Sequence, residues 1–130
     1  MLRQRSRPHL FSNSVPPPVV ATSLRVLELV EKGDALREQL HANAARFRSW
    51  LDEAGVQVLP GAHPIVPVMY GEAAVAVGEA ERLLAAGVYV IAFSYPVVPE
   101  GRARIRVQLS AAHSPADVEL AAAAFAAGQR

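Results

Sequence analysis

The chain has no cysteine, one lysine and no acidic residue before Glu28. Without thiols there is no disulfide framework, no thiolate nucleophile and no Cys-ligated metal, a composition compatible with a reducing compartment. Lys32 is the one side-chain amine in the molecule. Long apolar runs are absent as well: the stretch 120–127 is among the longest, and it is far too short to span a bilayer. A formal net charge of +1 gives no bulk attraction to nucleic acid or to a membrane surface. What is present, 52% hydrophobic and 19% charged residues over 130 positions, is the make-up of one globular domain able to bury a core.

The amino-terminal segment carries Arg3, Arg5 and Arg7 with serines and no acid, a composition shared with organellar transit peptides. Pro8, Pro16, Pro17 and Pro18 break any long amphipathic helix there, and no secretory apolar segment follows. The expected location is therefore the cytoplasm. The arginine triplet could touch nucleic-acid phosphates, but no interleaved aromatics or second basic face accompany it, so no nucleic-acid partner is expected. His9, His41, His63 and His113 are scattered without ligand spacing, and no metal site is expected.

Residues 1–18 read as an irregular or extended arm ended by three prolines, and 19–130 as a small α+β domain. Val20, Leu24, Leu27 and Val30 recur at helical spacing through 19–32. A second helix starts at Asp34, carries the stripe Leu36, Leu40, Phe47 and Leu51, and stops at Gly55. Strands are expected at 56–59, at 65–70 with Pro67 marking an edge or bulge, and at 88–93. A helix over 72–86, with Val77, Ala80, Leu83 and Leu84 inward, separates the last two. From Ala103 to Leu109, Arg104, Arg106 and Gln108 alternate with Ile105, Val107 and Leu109, the period of a half-buried strand. Ser114, Pro115 and Asp117 open a final helix packed through Val118, Ala121, Ala122 and Phe125. The expected fold is a small antiparallel-type sheet with helices on one face.

Two groups of residues offer chemistry, each with an ordinary reading beside it. Arg102, Arg104 and Arg106 fit a solvated strand face, or one of them grips a substrate carboxylate through its planar fork. Ser12 and Asn13 fit a turn or cap, or they donate to phosphate oxygens.

The runs LRQRSRPHLFSNS (2–14) and YPVVPEGRARIRVQLSAAH (95–113) resemble the glycine C-acetyltransferases, the 2-amino-3-ketobutyrate CoA ligases of the α-oxoamine synthase group. The likeness runs from Leu2 to the C-terminus and covers only the final third of the family's length. Sister enzymes that make aminolevulinate or aminooxononanoate usually differ in the Ser12–Ser14 run.

The resemblance implies a fold-type I pyridoxal 5'-phosphate homodimer with its active site between subunits, to which this chain supplies the C-terminal small domain. It implies that Ser12 and Asn13 reach across the dimer to the cofactor phosphate, and that Arg106 pairs with the glycine carboxylate. The implied reaction joins glycine to acetyl-CoA, giving 2-amino-3-oxobutyrate and CoA in threonine breakdown. The family's Schiff-base lysine, its pyridinium-pairing aspartate and its ring-stacking residues lie upstream of this stretch, and Lys32 matches none of them. The expectation is a fragment with no catalytic residue of its own, inactive until joined to the missing large domain or a complementing chain, with Met1 an internal or misassigned start. The alternative is a free-standing α+β binding or dimerisation module.

Overall fold

The period of two along β3 sets the architecture. In the computed structural model, which describes residues 1–10 and 15–128, Ala103, Ile105 and Val107 are buried while Arg106 and Gln108 are exposed. The elements run α1 (Leu2–Arg5), α2 (Arg7–Leu10), α3 (Pro17–Glu31), α4 (Asp34–Glu53), β1 (Ile65–Gly71), α5 (Ala73–Ala85), β2 (Ala92–Phe93), β3 (Ala103–Gln108) and α6 (Pro115–Ala127). They divide into two compact units, Met1–Asp34 and Ala35–Arg130.

In the first unit, two single helical turns stand in the stretch expected to be irregular. Pro8 falls within the first turn of α2, where its missing N–H would have no intrahelical partner anyway. Pro17 and Pro18 occupy the first two positions of α3, and their fixed φ favours the helix start. No residue of α3 is buried, although Leu24, Leu27, Leu29 and Val30 are apolar.

The second unit is the α+β domain. Its sheet has the order β1-β3-β2, antiparallel throughout, with Val66 opposite Val107 and Val68 opposite Ile105. Those four side chains share one face, because alternate residues of a strand do. Phe47 and Leu51 of α4, Leu83 of α5, and Val118, Ala122 and Phe125 of α6 complete the same core. Phe47 and Phe125 meet edge to face at 5.9 Å and 80°, a geometry that adds about 0.5–1.5 kcal/mol beyond area burial.

Pro67 lies on edge strand β1, as its residue type predicts. Its carbonyl accepts from Leu59 N at 3.0 Å on the side away from β3, so the N–H that proline lacks would also have pointed away from the ladder. A register shift between Met69 and Gly71 bulges the strand, with Gly71 at φ 77. The strand expected at 56–59 shrinks to a single bridge, Val58 to Val68.

Two helices end alike. Val56 N donates to Leu51 O and Gly55 N to Asp52 O; Val88 N donates to Leu83 O and Gly87 N to Leu84 O. Gly55 (φ 72) and Gly87 (φ 85) supply the left-handed residue this closure requires. On α5 the inward residues are Ala76 and Leu83, whereas Val77 and Leu84 are exposed. Contact with all three strands chooses the buried face, and a run rich in alanine does not announce it in advance.

Candidate functional site

The face of the sheet turned away from the core carries the candidate chemistry. Arg104, Arg106 and Gln108 stand on it because Ile105 and Val107 occupy the other side. The loop before β3 is tied down at both ends. Val97 N and Val98 N both donate to Ser94 O, and Arg102 N donates to Pro99 O across a turn with Gly101 at φ 69. The bond Tyr95–Pro96 is cis.

The three arginines differ in what they touch. Arg104 donates from Nε to the carbonyl of Arg102 at 3.2 Å. The Arg106 guanidinium carbon sits 4.6 Å from the centre of the Phe93 ring, and no described residue offers Arg106 a carboxylate. A guanidinium with no anionic partner, held over a ring and open to solvent, can receive a carboxylate through two parallel N–H donors. Arg102 is exposed at the turn.

β2 pairs with β3 only at Ala92–Ile105 and Phe93–Arg104. The strand expected over 88–93 is therefore mostly absent, because Val88 N is taken by the end of α5 and residues 88–91 line a cleft instead. This cleft, about 570 Å³, has walls that include Val90, Ile91, Phe93 and Leu120, with Arg106 and His113 among its polar groups. His113 Nδ1 accepts from Ser110 N at 3.2 Å, which leaves the ring proton on Nε2. A structural role for His113 is thus realised alongside its place in the cleft.

Around the cleft, charges serve the scaffold. Asp117 accepts from both the hydroxyl and the N–H of Ser114, each at 2.8 Å, and Asp117 N donates back to Ser114 Oγ at 3.2 Å. The Ser114 hydroxyl first, and then its N–H, hold the Asp117 carboxyl below its usual range. Arg48 donates from Nη1 to Leu59 O at 2.8 Å and from Nη2 to His63 O at 3.2 Å, fastening the 57–65 segment to α4. On β1, burial pushes the Tyr70 phenol well above its ordinary range, and the nearby Glu79 carboxylate adds to the shift.

Arg106 is placed on an open face at a cleft. Ser12 and Asn13 lie outside the described residues. Lys32 is exposed at the end of α3, in the first unit, and no lysine lines the cleft. Among the described residues no group of three His, Asp or Glu side chains gathers as metal ligands would, and no helix is long and apolar enough to cross a membrane. The Phe93 contact and the apolar cleft were not visible as site features. Phe93 reads simply as an aromatic strand residue, and only its register against Arg104 brings it to the arginine.

Comparison with known proteins adds three findings. The family model for aminotransferase class I and II matches residues 1–125. The 2-amino-3-ketobutyrate coenzyme A ligase of Escherichia coli K12 is 53% identical over 124 residues, and the mitochondrial enzyme of that name from Mus musculus is 49% identical over 125. Those alignments cover 95% and 96% of this chain but 31% and 30% of the relatives, so the chain spans about a third of the curated relatives it matches. Among solved structures, the serine palmitoyltransferase of Sphingomonas wittichii superposes with a TM-score of 0.88 and 32% identity over 99% of this chain and 33% of its own. An SPT solved with its PLP internal aldimine gives 0.88 and 30% over the same shares.

Proposed function

The chain belongs to the aminotransferase class I and II family, and on that premise we propose that it supplies one portion of a pyridoxal-phosphate-dependent glycine C-acetyltransferase. The observation that carries this reading is Arg106, a guanidinium without a carboxylate partner on the open face of β3, in a chain 53% identical to a 2-amino-3-ketobutyrate CoA ligase. Arg106 binds and orients the carboxylate of glycine, and the acetyl group arrives from acetyl-CoA. The products are 2-amino-3-oxobutyrate and CoA, in the direction of threonine breakdown. The working enzyme is a cytoplasmic homodimer in this reading, with Ser12 and Asn13 serving the cofactor phosphate across the subunit boundary.

The described residues alone do not make a cofactor site. The cleft offers a cation for a carboxylate but no amine for the cofactor's aldehyde, and Lys32 stands exposed on another unit. The electron withdrawal that activates glycine belongs to the cofactor and to groups outside this stretch. The chain by itself is inactive, and it contributes substrate binding once joined to the remainder.

The test is release of CoA thiol from acetyl-CoA in the presence of glycine and pyridoxal phosphate. The 130-residue chain should give none above blank, whereas a fusion of it to the remaining portion of the E. coli relative should turn over. Arg106→Ala in that fusion should raise the KM for glycine by about 100-fold, the loss expected for a charged hydrogen-bonded partner. Turnover by the isolated chain, or a fusion indifferent to Arg106→Ala, sinks the reading.

A second reading has one observation in its favour: residues 35–130 enclose a core of their own, with Phe47, Leu51, Val66, Ile105 and Phe125 fully buried. A free-standing binding or dimerisation module would unfold cooperatively, hold a defined oligomeric state, and show no turnover in the fusion.

A further inference from the structure

Arg106 presents a problem of placement. A flexible arginine on an exposed strand face samples many rotamers, and holding one conformer has an entropic cost. Arginines are often held by a carboxylate, but such a partner would also neutralise the charge and occupy the N–H donors that a substrate needs. An aromatic ring does neither. It attracts the cation through its π face and leaves the five N–H groups of the guanidinium free.

Phe93 is placed to do this. It pairs with Arg104 across β2 and β3, so its ring stands on the same face of the sheet as Arg104 and Arg106. Arg106 is its diagonal neighbour, within the reach of cross-strand pairs of aromatic and long side chains. The ring centre lies 4.6 Å from the guanidinium carbon. Arg104, directly opposite Phe93, instead turns Nε to the Arg102 carbonyl, which leaves the ring to Arg106. The short two-pair ladder of β2 therefore has a consequence beyond the sheet, because it fixes the ring under the cation.

We propose that Phe93 is a positioning residue for substrate binding: its ring holds the Arg106 guanidinium over the cleft, charged and with its donors free for an amino-acid carboxylate. The proposal rests on the carboxylate-binding reading of Arg106, and it deepens that reading by naming what orients the arginine.

Two measurements test it. In the 130-residue chain, the Arg106 δ-proton resonances should be shifted upfield by the Phe93 ring. Phe93→Leu should abolish that shift while leaving the Ile105 and Val107 methyl resonances in place, a sign that the sheet is intact. In the active fusion, Phe93→Leu should raise the glycine KM by roughly 2- to 5-fold, in line with a cation–π contact at an exposed site, with kcat and the acetyl-CoA KM nearly unchanged. Phe93→Trp, which keeps a ring, should restore both readouts. Arg106 resonances that are the same in wild type and Phe93→Leu overturn the proposal. So does an unchanged glycine KM in Phe93→Leu when Arg106→Ala raises it. If Arg106→Ala itself leaves the glycine KM untouched, the carboxylate reading has failed and the proposal falls with it; the resonance experiment still shows separately whether the ring holds the cation.

Discussion

Asn43, a buried residue of α4, donates from Nδ2 to the carbonyl of His113 at 3.0 Å and to that of Ser110 at 3.2 Å. One amide thereby fastens both ends of the turn that leads from β3 into α6, and with it the His113 ring at the cleft. Asn43→Ala would take from the His113 carbonyl its Asn43 donor and leave the Ser110 carbonyl with the His113 N–H alone. The variant should lose about 1–3 kcal/mol of unfolding free energy, the usual contribution of two hydrogen bonds. In urea denaturation the midpoint should fall with the slope unchanged.

Arg82 ties α5 to α6 in a comparable way. Nη2 donates to Ala124 O at 2.6 Å while Nε donates to Glu79 Oε2 at 2.8 Å. Glu79 is mostly shielded, so removing Arg82 leaves its carboxylate with little to replace the lost donor. Arg82→Met should destabilise by about 1–3 kcal/mol and Glu79→Gln by less, and the double variant should cost less than their sum because the two share one interaction. A double-mutant cycle in thermal denaturation reads this directly. Additive costs would show that the pair is not coupled.

The arginine face of β3 was legible because a strand's period is two: residues 103–109 announce which side each side chain takes, and the structure keeps that assignment. The start of α6 was legible for a similarly local reason, since Ser114, Pro115 and Asp117 make a cap from neighbouring residues. The cleft was not legible. Residues 88–91 have strong strand character, and their departure from β3 follows from the way α5 closes on Leu83, a tertiary outcome that propensity does not register. Phe93 beneath Arg106 likewise depends on a register between two segments ten residues apart.

Asp117 gives α6 a pH-sensitive start. Its folded-state carboxyl sits below the unfolded value, so its stabilising contribution is in place above about pH 4 and fades as pH falls through the lower folded value. Ser114→Ala removes the leading cause of that shift. Carboxyl-carbon NMR titration should show the Asp117 midpoint moving upward in the variant, and the acid limb of its stability profile should flatten. An unmoved midpoint would show that the Ser114 hydroxyl is not what lowers it.

Tyr70 should act at the opposite end of the pH scale. Its buried hydroxyl lies near the Glu79 carboxylate with no partner at full hydrogen-bond geometry, and its phenol is raised above the ordinary value, about 10 in the unfolded chain. The stability that goes with the neutral phenol is complete below that unfolded value and is lost progressively as pH rises above it. Tyr70→Phe should therefore be neutral or slightly stabilising near pH 7, and it should remove part of the alkaline destabilisation. Urea midpoints at neutral and strongly alkaline pH would show both effects. A large neutral-pH loss in the variant would mean that the hydroxyl has a partner after all.

Lys32 is the remaining amine, and its position argues against a covalent role. A lysine that forms a Schiff base with a cofactor works when it is held beside the aldehyde in a shielded site. Lys32 follows the last turn of α3 with its side chain exposed. Borohydride reduction of the isolated chain mixed with pyridoxal phosphate should label Lys32 no faster than a lysine in a short unstructured peptide, and Lys32→Ala should leave the turnover of the fusion unchanged. Stoichiometric labelling at low cofactor concentration, or a fusion silenced by Lys32→Ala, would give that amine the catalytic part that its exposure denies it.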